Sequence, residues 1–122
     1  MESKKATKPI QSQLLLEMGV PADTADAYYE TGTNELLFIP SGMSGSQFVY
    51  RVAWTLDGLV DYLCDGDNVF VEFCRSTFGN GAFWICYYKR YEGKKVFGVS
   101  KAGPSKIDAI FEVIYELHKH QT

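Results

Sequence analysis

The chain has 122 residues, of which 46% are apolar, 22% charged and 15% aromatic. These amounts support one globular core, are too small for two ordinary domains, and exclude disorder for most of the length. Lys and Arg number 12 against 15 Asp and Glu, giving a net charge of −3 and a pI near 5.3, so the field of the whole molecule exerts no pull towards nucleic acid or an anionic membrane.

No stretch approaches the ~20 apolar residues that span a bilayer, so no membrane partner is expected. Cys64, Cys74 and Cys86 contain no CxxC pair and fit neither a disulfide framework nor a structural zinc site. A cytoplasmic location is the expectation. Residues 1–9 are polar and basic, with Lys4, Lys5 and Lys8, lack a signal-peptide pattern, and end on Pro9, which disfavours helix at the residue before it. A flexible leader over 1–9 and a single domain over 10–122 are therefore expected.

Gln11 to Met18 reads as a short helix stopped by Gly19, which tolerates the left-handed conformation. A second short helix is expected after Pro21, with Asp23 as N-cap and Ala22, Ala25 and Tyr29 on one side. Leu36 to Ile39 and Gln47 to Ala53 read as two strands, joined as a hairpin by the small-residue loop Ser41 to Ser46. Thr55 is a good N-cap for a helix over Leu56 to Leu63, whose apolar residues recur at i, i+3, i+4 and i+7.

Three strands follow, Val69 to Arg75, Ala82 to Arg90 and Lys95 to Ser100, joined by the turn formers Gly79-Asn80-Gly81 and Glu92-Gly93. Short turns make them an antiparallel meander. Ser105 and Asp108 then open the longest helix, on which Ile107, Ile110, Phe111, Ile114 and Leu117 form one stripe. The fold expected is α+β: a mainly antiparallel sheet of about five strands, hairpin plus three-stranded meander, with helices on one face and the C-terminal helix packed on the sheet.

Three segments, LLEMGVPADTADAYY (15–29), AWTLDGLVDYL (53–63) and PSKIDAIFEVIYEL (104–117), resemble a family of small uncharacterised proteins from gut Bacteroidetes and their phages and mobile elements. The shared positions are a TAD-Y pattern, a WTL helix start and a closing PxxxDAxxxxI helix. The resemblance implies a common fold. It carries over no activity and no catalytic residue.

Charge is unevenly spread. Residues 17–67 hold nine acids and one base, net −8, whereas 69–106 hold seven bases and two acids, net +5. In the basic half Arg75, Lys89, Arg90, Lys94, Lys95, Lys101 and Lys106 interleave with Trp84, Tyr87, Tyr88, Tyr91 and Phe97, as in surfaces that stack bases and track phosphates, and Trp84, Tyr88, Lys89, Arg90, Lys94, Lys95, Lys101 and Lys106 are the candidate contacts. The competing reading makes the aromatics core and cross-strand pairs, and the lysines a solvated edge that discourages strand addition.

The runs Val69-Phe70-Val71 and Ala82 to Cys86 alternate little, so both faces of the meander ask for cover. Helix 56–63 or a second copy of the chain supplies it, and in a homodimer the acidic half of one copy can face the basic half of the other.

For catalysis, the thiols of Cys64, Cys74 and Cys86 need a histidine, and His118 and His120 stand at the C-terminus without an evident orienting partner. Cys74 and Cys86 are expected as inert strand-interior thiols, and Cys64 lies among Asp61, Asp65 and Asp67, which raise a thiol pKa. Asp57, Asp61, Asp65 and Asp67 lack the ligand order of a calcium loop. The loop 41–46 lacks the sequence of a phosphate-binding loop.

The sequence therefore points to a non-enzymatic protein without catalytic residues, cofactor or metal. It would act through contact with an unknown protein partner, self-associating as a dimer; the alternative is a nucleic-acid-binding module built on strands 69–106.

Overall fold

A computed structural model describes residues 5–48, 51–78 and 81–119. Three helices and six strands are assigned: α1 (Pro9–Glu17), β1 (Ala27–Tyr29), β2 (Leu36–Phe38), β3 (Val52–Ala53), α2 (Leu56–Leu63), β4 (Val69–Phe78), β5 (Gly81–Glu92), β6 (Lys95–Gly103) and α3 (Lys106–Lys119). The class is α+β, with α3 packed on a sheet. The strands do not form one five-stranded sheet. They form two antiparallel sheets of three, a small one ordered β2-β1-β3 and a long one ordered β4-β5-β6.

The small sheet corrects two expectations. Residues 22–29 are not a helix: a single 3-10 turn, Ala22–Thr24, gives way to the extended Ala25 and then to β1. Asp23, the expected N-cap, and Asp26 beside it are engaged elsewhere. Asp23 accepts from the Ser46 backbone N–H at 3.2 Å. Asp26 accepts from the Thr55 N–H at 2.8 Å and from the Thr55 hydroxyl.

The second correction concerns the hairpin. Leu36–Phe38 and Val52–Ala53 do not pair with each other, because β1 lies between them and pairs with both. Of the expected strand 47–53, Gln47 and Phe48 belong to a 3-10 turn, residues 49 and 50 lie outside the described residues, and the end alone is strand. Phe48 instead stacks on Tyr28 with ring centroids 4.2 Å apart.

Residues 5–8 are also better anchored than a leader. Ala6 bridges Thr55, the Thr7 N–H donates to the Trp54 carbonyl at 2.9 Å, and Ala6 and Thr7 are both buried; residues 1–4 lie outside the described residues. The Thr7 hydroxyl shares a 2.7 Å hydrogen bond with Ser12 and accepts from the Trp54 N–H, while the Thr7 carbonyl accepts from the Tyr29 hydroxyl. Trp54 itself is wholly buried, with its indole N–H donating to the Thr24 hydroxyl at 3.0 Å. Every polar group drawn inside this junction thus has a partner, which is the condition for burying it at little cost.

Helix ends follow their local chemistry. Gly19, at φ +97°, closes α1: its N–H bonds the Leu16 carbonyl and that of Val20 the Leu15 carbonyl, a Schellman pair. Thr55 caps α2 by accepting from the Gly58 N–H, and Gly58 is needed because a Cβ there would fall 2.7 Å from the Asp26 carboxylate. Ser105 Oγ accepts from the Asp108 N–H and donates to the Asp108 carboxylate, which also accepts from Gln11 of α1 at 2.9 Å.

Leu15, Trp54, Leu59, Cys86, Tyr88, Ile110 and Ile114 belong to one buried cluster that joins α1, α2, α3 and the long sheet. On α3 the stripe is Ile107, Ile110, Phe111 and Ile114 with Ala109 and Val113, whereas Leu117 is half-buried.

Ile110→Ala should lower unfolding stability by about 2–5 kcal/mol, the usual cost of a buried cavity. Asp26→Ala, which strips acceptors from the start of α2, should cost about 1–3 kcal/mol. Urea unfolding followed by circular dichroism measures both.

Candidate functional site

The register of the meander decides which side chains face the helices. Cys86 lies opposite Phe73 and Lys101, Tyr88 opposite Val71 and Val99, and Trp84 opposite Arg75 and Gly103. Alternation along each strand then puts Val69, Val71, Phe73, Trp84, Cys86, Tyr88, Phe97 and Val99 beneath the helices, and all eight belong to or pack on the core cluster. The opposite face holds Phe70, Glu72, Cys74 and Ser76 of β4, Phe83, Ile85, Tyr87, Lys89 and Tyr91 of β5, and Val96, Gly98, Ser100 and Ala102 of β6.

None of the outer-face residues enters the core cluster. Phe70 is 52% exposed, Val96 55%, Tyr91 42% and Tyr87 37%, values far above those of core aromatics. Phe70 and Tyr91 meet edge to face at 5.6 Å. Helix α2, expected as one of two covers for the meander, packs with α3 on the inner face, since Leu59 and Leu63 share the core with Ile110 and Ile114. The outer face is therefore rich in apolar and aromatic side chains and has no covering element among the described residues. Its only charges on the described strands are Glu72 and Lys89, which cancel.

The eight residues considered for nucleic-acid binding do not form one surface, although Lys106 meets Trp84 and Arg90 meets Tyr88. Tyr88 is only 4% exposed and lies beneath α3. Trp84, also on the inner face, carries the Lys106 ammonium 4.6 Å from its ring centroid and Arg75 at 5.9 Å. Lys101 pairs with Glu116 at 3.0 Å, and Arg90 pairs with Glu92 at 2.8 Å and lies over Phe97. Lys94 and Lys95 are exposed at the β5–β6 turn. Lys89 alone of the eight is on the outer face.

Sequence reasoning counted Tyr87 and Tyr91 among the stacking aromatics of the basic half without choosing either as a site residue, and it did not single out Phe70 or Val96. The signal was the weak alternation of 69–71 and 82–86, which marks two-sided apolarity but not which side is covered.

The thiols are placed differently from expectation in one case. Cys74, expected in the core, is exposed on the outer face. Cys64 is exposed, with its pKa raised first by partial burial and then by Asp61. Cys86 is wholly buried, and desolvation, with a smaller contribution from Cys64, pushes its thiol up to about 12.

Two concavities among the described residues lie elsewhere, with no outer-face residue in their lining. A cleft of about 390 Å³ between α2, α3 and β4–β5 is lined by Tyr62, Asp65, Tyr88, Arg90 and His118, and none of the three cysteines lines it. A wider groove of about 880 Å³ runs between α1 and the small sheet, lined by Ile10, Leu16, Tyr29 and Arg51 among others. Among the described residues no group of three His, Cys, Asp or Glu is arranged to hold a metal, and no helix is long and apolar enough to cross a membrane. Asp57 and Asp61 are exposed on α2, and His120 lies outside the described residues.

Comparison with family models, with curated proteins and with solved structures finds no match.

The Cys86 shift gives a pH-dependent stability. Between about 9 and about 12 the unfolded chain releases a thiol proton that the folded chain keeps, so this group's contribution is intact below pH 9 and falls as pH rises, by up to about 1.4 kcal/mol per unit. Denaturation midpoints measured from pH 8 to 11 should drop less steeply in Cys86→Ala than in the parent. At neutral pH, a thiol reagent should label Cys64 and Cys74 in the folded protein and reach Cys86 only after unfolding.

Proposed function

We propose that the protein is a non-enzymatic interaction module that works by protein–protein contact, and that the first partner of its outer sheet face is another copy of itself. The observation that carries this reading is the β4–β6 face left uncovered by the described residues, where four large side chains stand exposed on the strands. An apolar surface of this kind on a sheet marks a binding site more often than it marks accident. Aromatic residues on a rigid frame also contribute most per residue to protein contacts.

Size limits the strength of the contact. Three strands spaced about 4.8 Å and rising about 3.3 Å per residue present roughly 14 Å by 30 Å, about half the ~800 Å² that each partner gives to a standard interface. The association is thus of micromolar rather than nanomolar strength, suited to a reversible assembly in a cytoplasmic setting. The same reading places the chain with the gut Bacteroidetes and phage proteins it resembles. Trp54, Thr55, Ser105 and Asp108, in or beside the shared segments, serve as core and caps, which supports kinship of fold.

A nucleic-acid-binding module is the second reading, favoured by the exposed rings of Phe70, Tyr87 and Tyr91, which offer stacking surfaces. Against it, the face is electrically balanced and Trp84, Arg90, Lys101 and Lys106 are engaged on the other side.

Light scattering from 10 µM to 1 mM should show the weight-average mass rising from monomer towards dimer, and Phe70→Asp should hold it at monomer. Constant monomer mass in the parent refutes the reading. Binding to single-stranded RNA that weakens steeply with salt and vanishes in a Lys94→Glu, Lys95→Glu variant supports the second reading instead.

A further inference from the structure

The register fixes a pattern of charge on the outer face that is complementary to itself. Phe70 lies directly opposite Lys89, and Glu72 directly opposite Tyr87. The four side chains therefore mark a rectangle about 4.8 Å across the strands and about 6.8 Å along them. Glu72 and Lys89 occupy one diagonal, Phe70 and Tyr87 the other. Both charged residues are exposed, and among the described residues neither forms an ion pair or a side-chain hydrogen bond. Covering the face without giving them partners would bury two bare charges, which costs more than the apolar contact of so small a surface returns.

A two-fold axis resolves this. When two identical faces meet about an axis lying in the interface, each point touches its own reflection across that axis. The axis that reflects Glu72 onto Lys89 is the perpendicular bisector of their diagonal, and in the rectangle above it runs within about 20° of the line from Phe70 to Tyr87. Resting on the self-association proposed above, we infer that two copies pack outer face to outer face about this axis. Each Glu72 then meets the partner's Lys89, and Phe70 and Tyr87 lie along the axis as the apolar centre.

This placement forms two ion pairs, sets them either side of the aromatic centre, and leaves no charge of the described strands unpaired on the face. It also sets the angle between the sheets. An axis about 55° from the strands makes the strands of the two copies cross at roughly 70°, nearer the orthogonal than the aligned class of sheet packing. Tyr91 and Val96, paired with each other in register and exposed, fall at one rim of the contact.

Charge reversal tests the axis separately from the surface. Self-association of the full chain is followed by sedimentation equilibrium at low salt, with folding of each variant checked by circular dichroism. Glu72→Lys places lysine against lysine twice and Lys89→Glu places glutamate against glutamate twice. Each should raise the dimer Kd about tenfold or more. The double variant, Glu72→Lys with Lys89→Glu, restores opposite pairs and should return the Kd to within about threefold of the parent.

If either single variant dimerises like the parent, or if the double variant stays as weak as the singles while Phe70→Asp abolishes association, the two-fold arrangement is overturned and the interaction surface stands. A parent chain that remains monomeric at 1 mM overturns both.

Discussion

Because Cys86 and Tyr88 are pressed into the same buried cluster as Ile107, Ile110, Phe111 and Ile114, the seat of α3 determines which way every side chain of the meander points. Strand alternation leaves no freedom after one position is set. With Tyr88 inward, Tyr87 and Lys89 are outward, and the pairing carries the choice to Phe70 and Glu72 on β4 and to Val96 and Ser100 on β6. A slip of one residue would put Lys89 beneath α3 and draw Cys86 and Tyr88 out of the core, so the helix enforces one register at high cost to any other. The exposed aromatic face is therefore a consequence of where the core formed.

Among the described residues no further element is left to cover that face. Helices α1, α2 and α3 all contribute to the inner core, and the small sheet is joined to it through Trp54, whose indole is satisfied by Thr24 and whose backbone is bound to Thr7. Asp26 has a matching role at the other side of the junction. Its carboxylate caps Thr55 and closes over Gly58, so the link between β1 and α2 is made by a charged hydrogen bond in a part-buried setting. These polar contacts hold two separate sheets in one body with few residues. None of them reaches the outer face of β4–β6.

That division of labour shapes what the molecule is fitted to do. The clusters that hold chemistry-bearing side chains are engaged in structure: Asp26 and Asp108 in caps, Lys101 and Arg90 in ion pairs, Cys86 in the core. The outer sheet face stands apart from these contacts, aromatic, with one acid, one base and the exposed Cys74 thiol. That composition is the basis of the self-association proposed above, in which the two charges supply orientation.

By itself the sequence determined the elements whose causes are local. The helices at 56–63 and 106–119 were legible because Thr55 and Ser105 are N-caps and their apolar residues repeat at helical spacing; the three meander strands were legible because glycine-containing turns separate β-rich runs. What the tertiary structure decided were matters set by distant partners. Asp23 and Asp26 serve Ser46 and Thr55 rather than a helix of their own, so residues 27–29 become a strand between two others. Phe48 leaves the strand pattern to stack on Tyr28. The side of the meander that stays bare was likewise invisible along the chain, since alternation records that a strand has two sides, and only the packing of α3 says which one is inside.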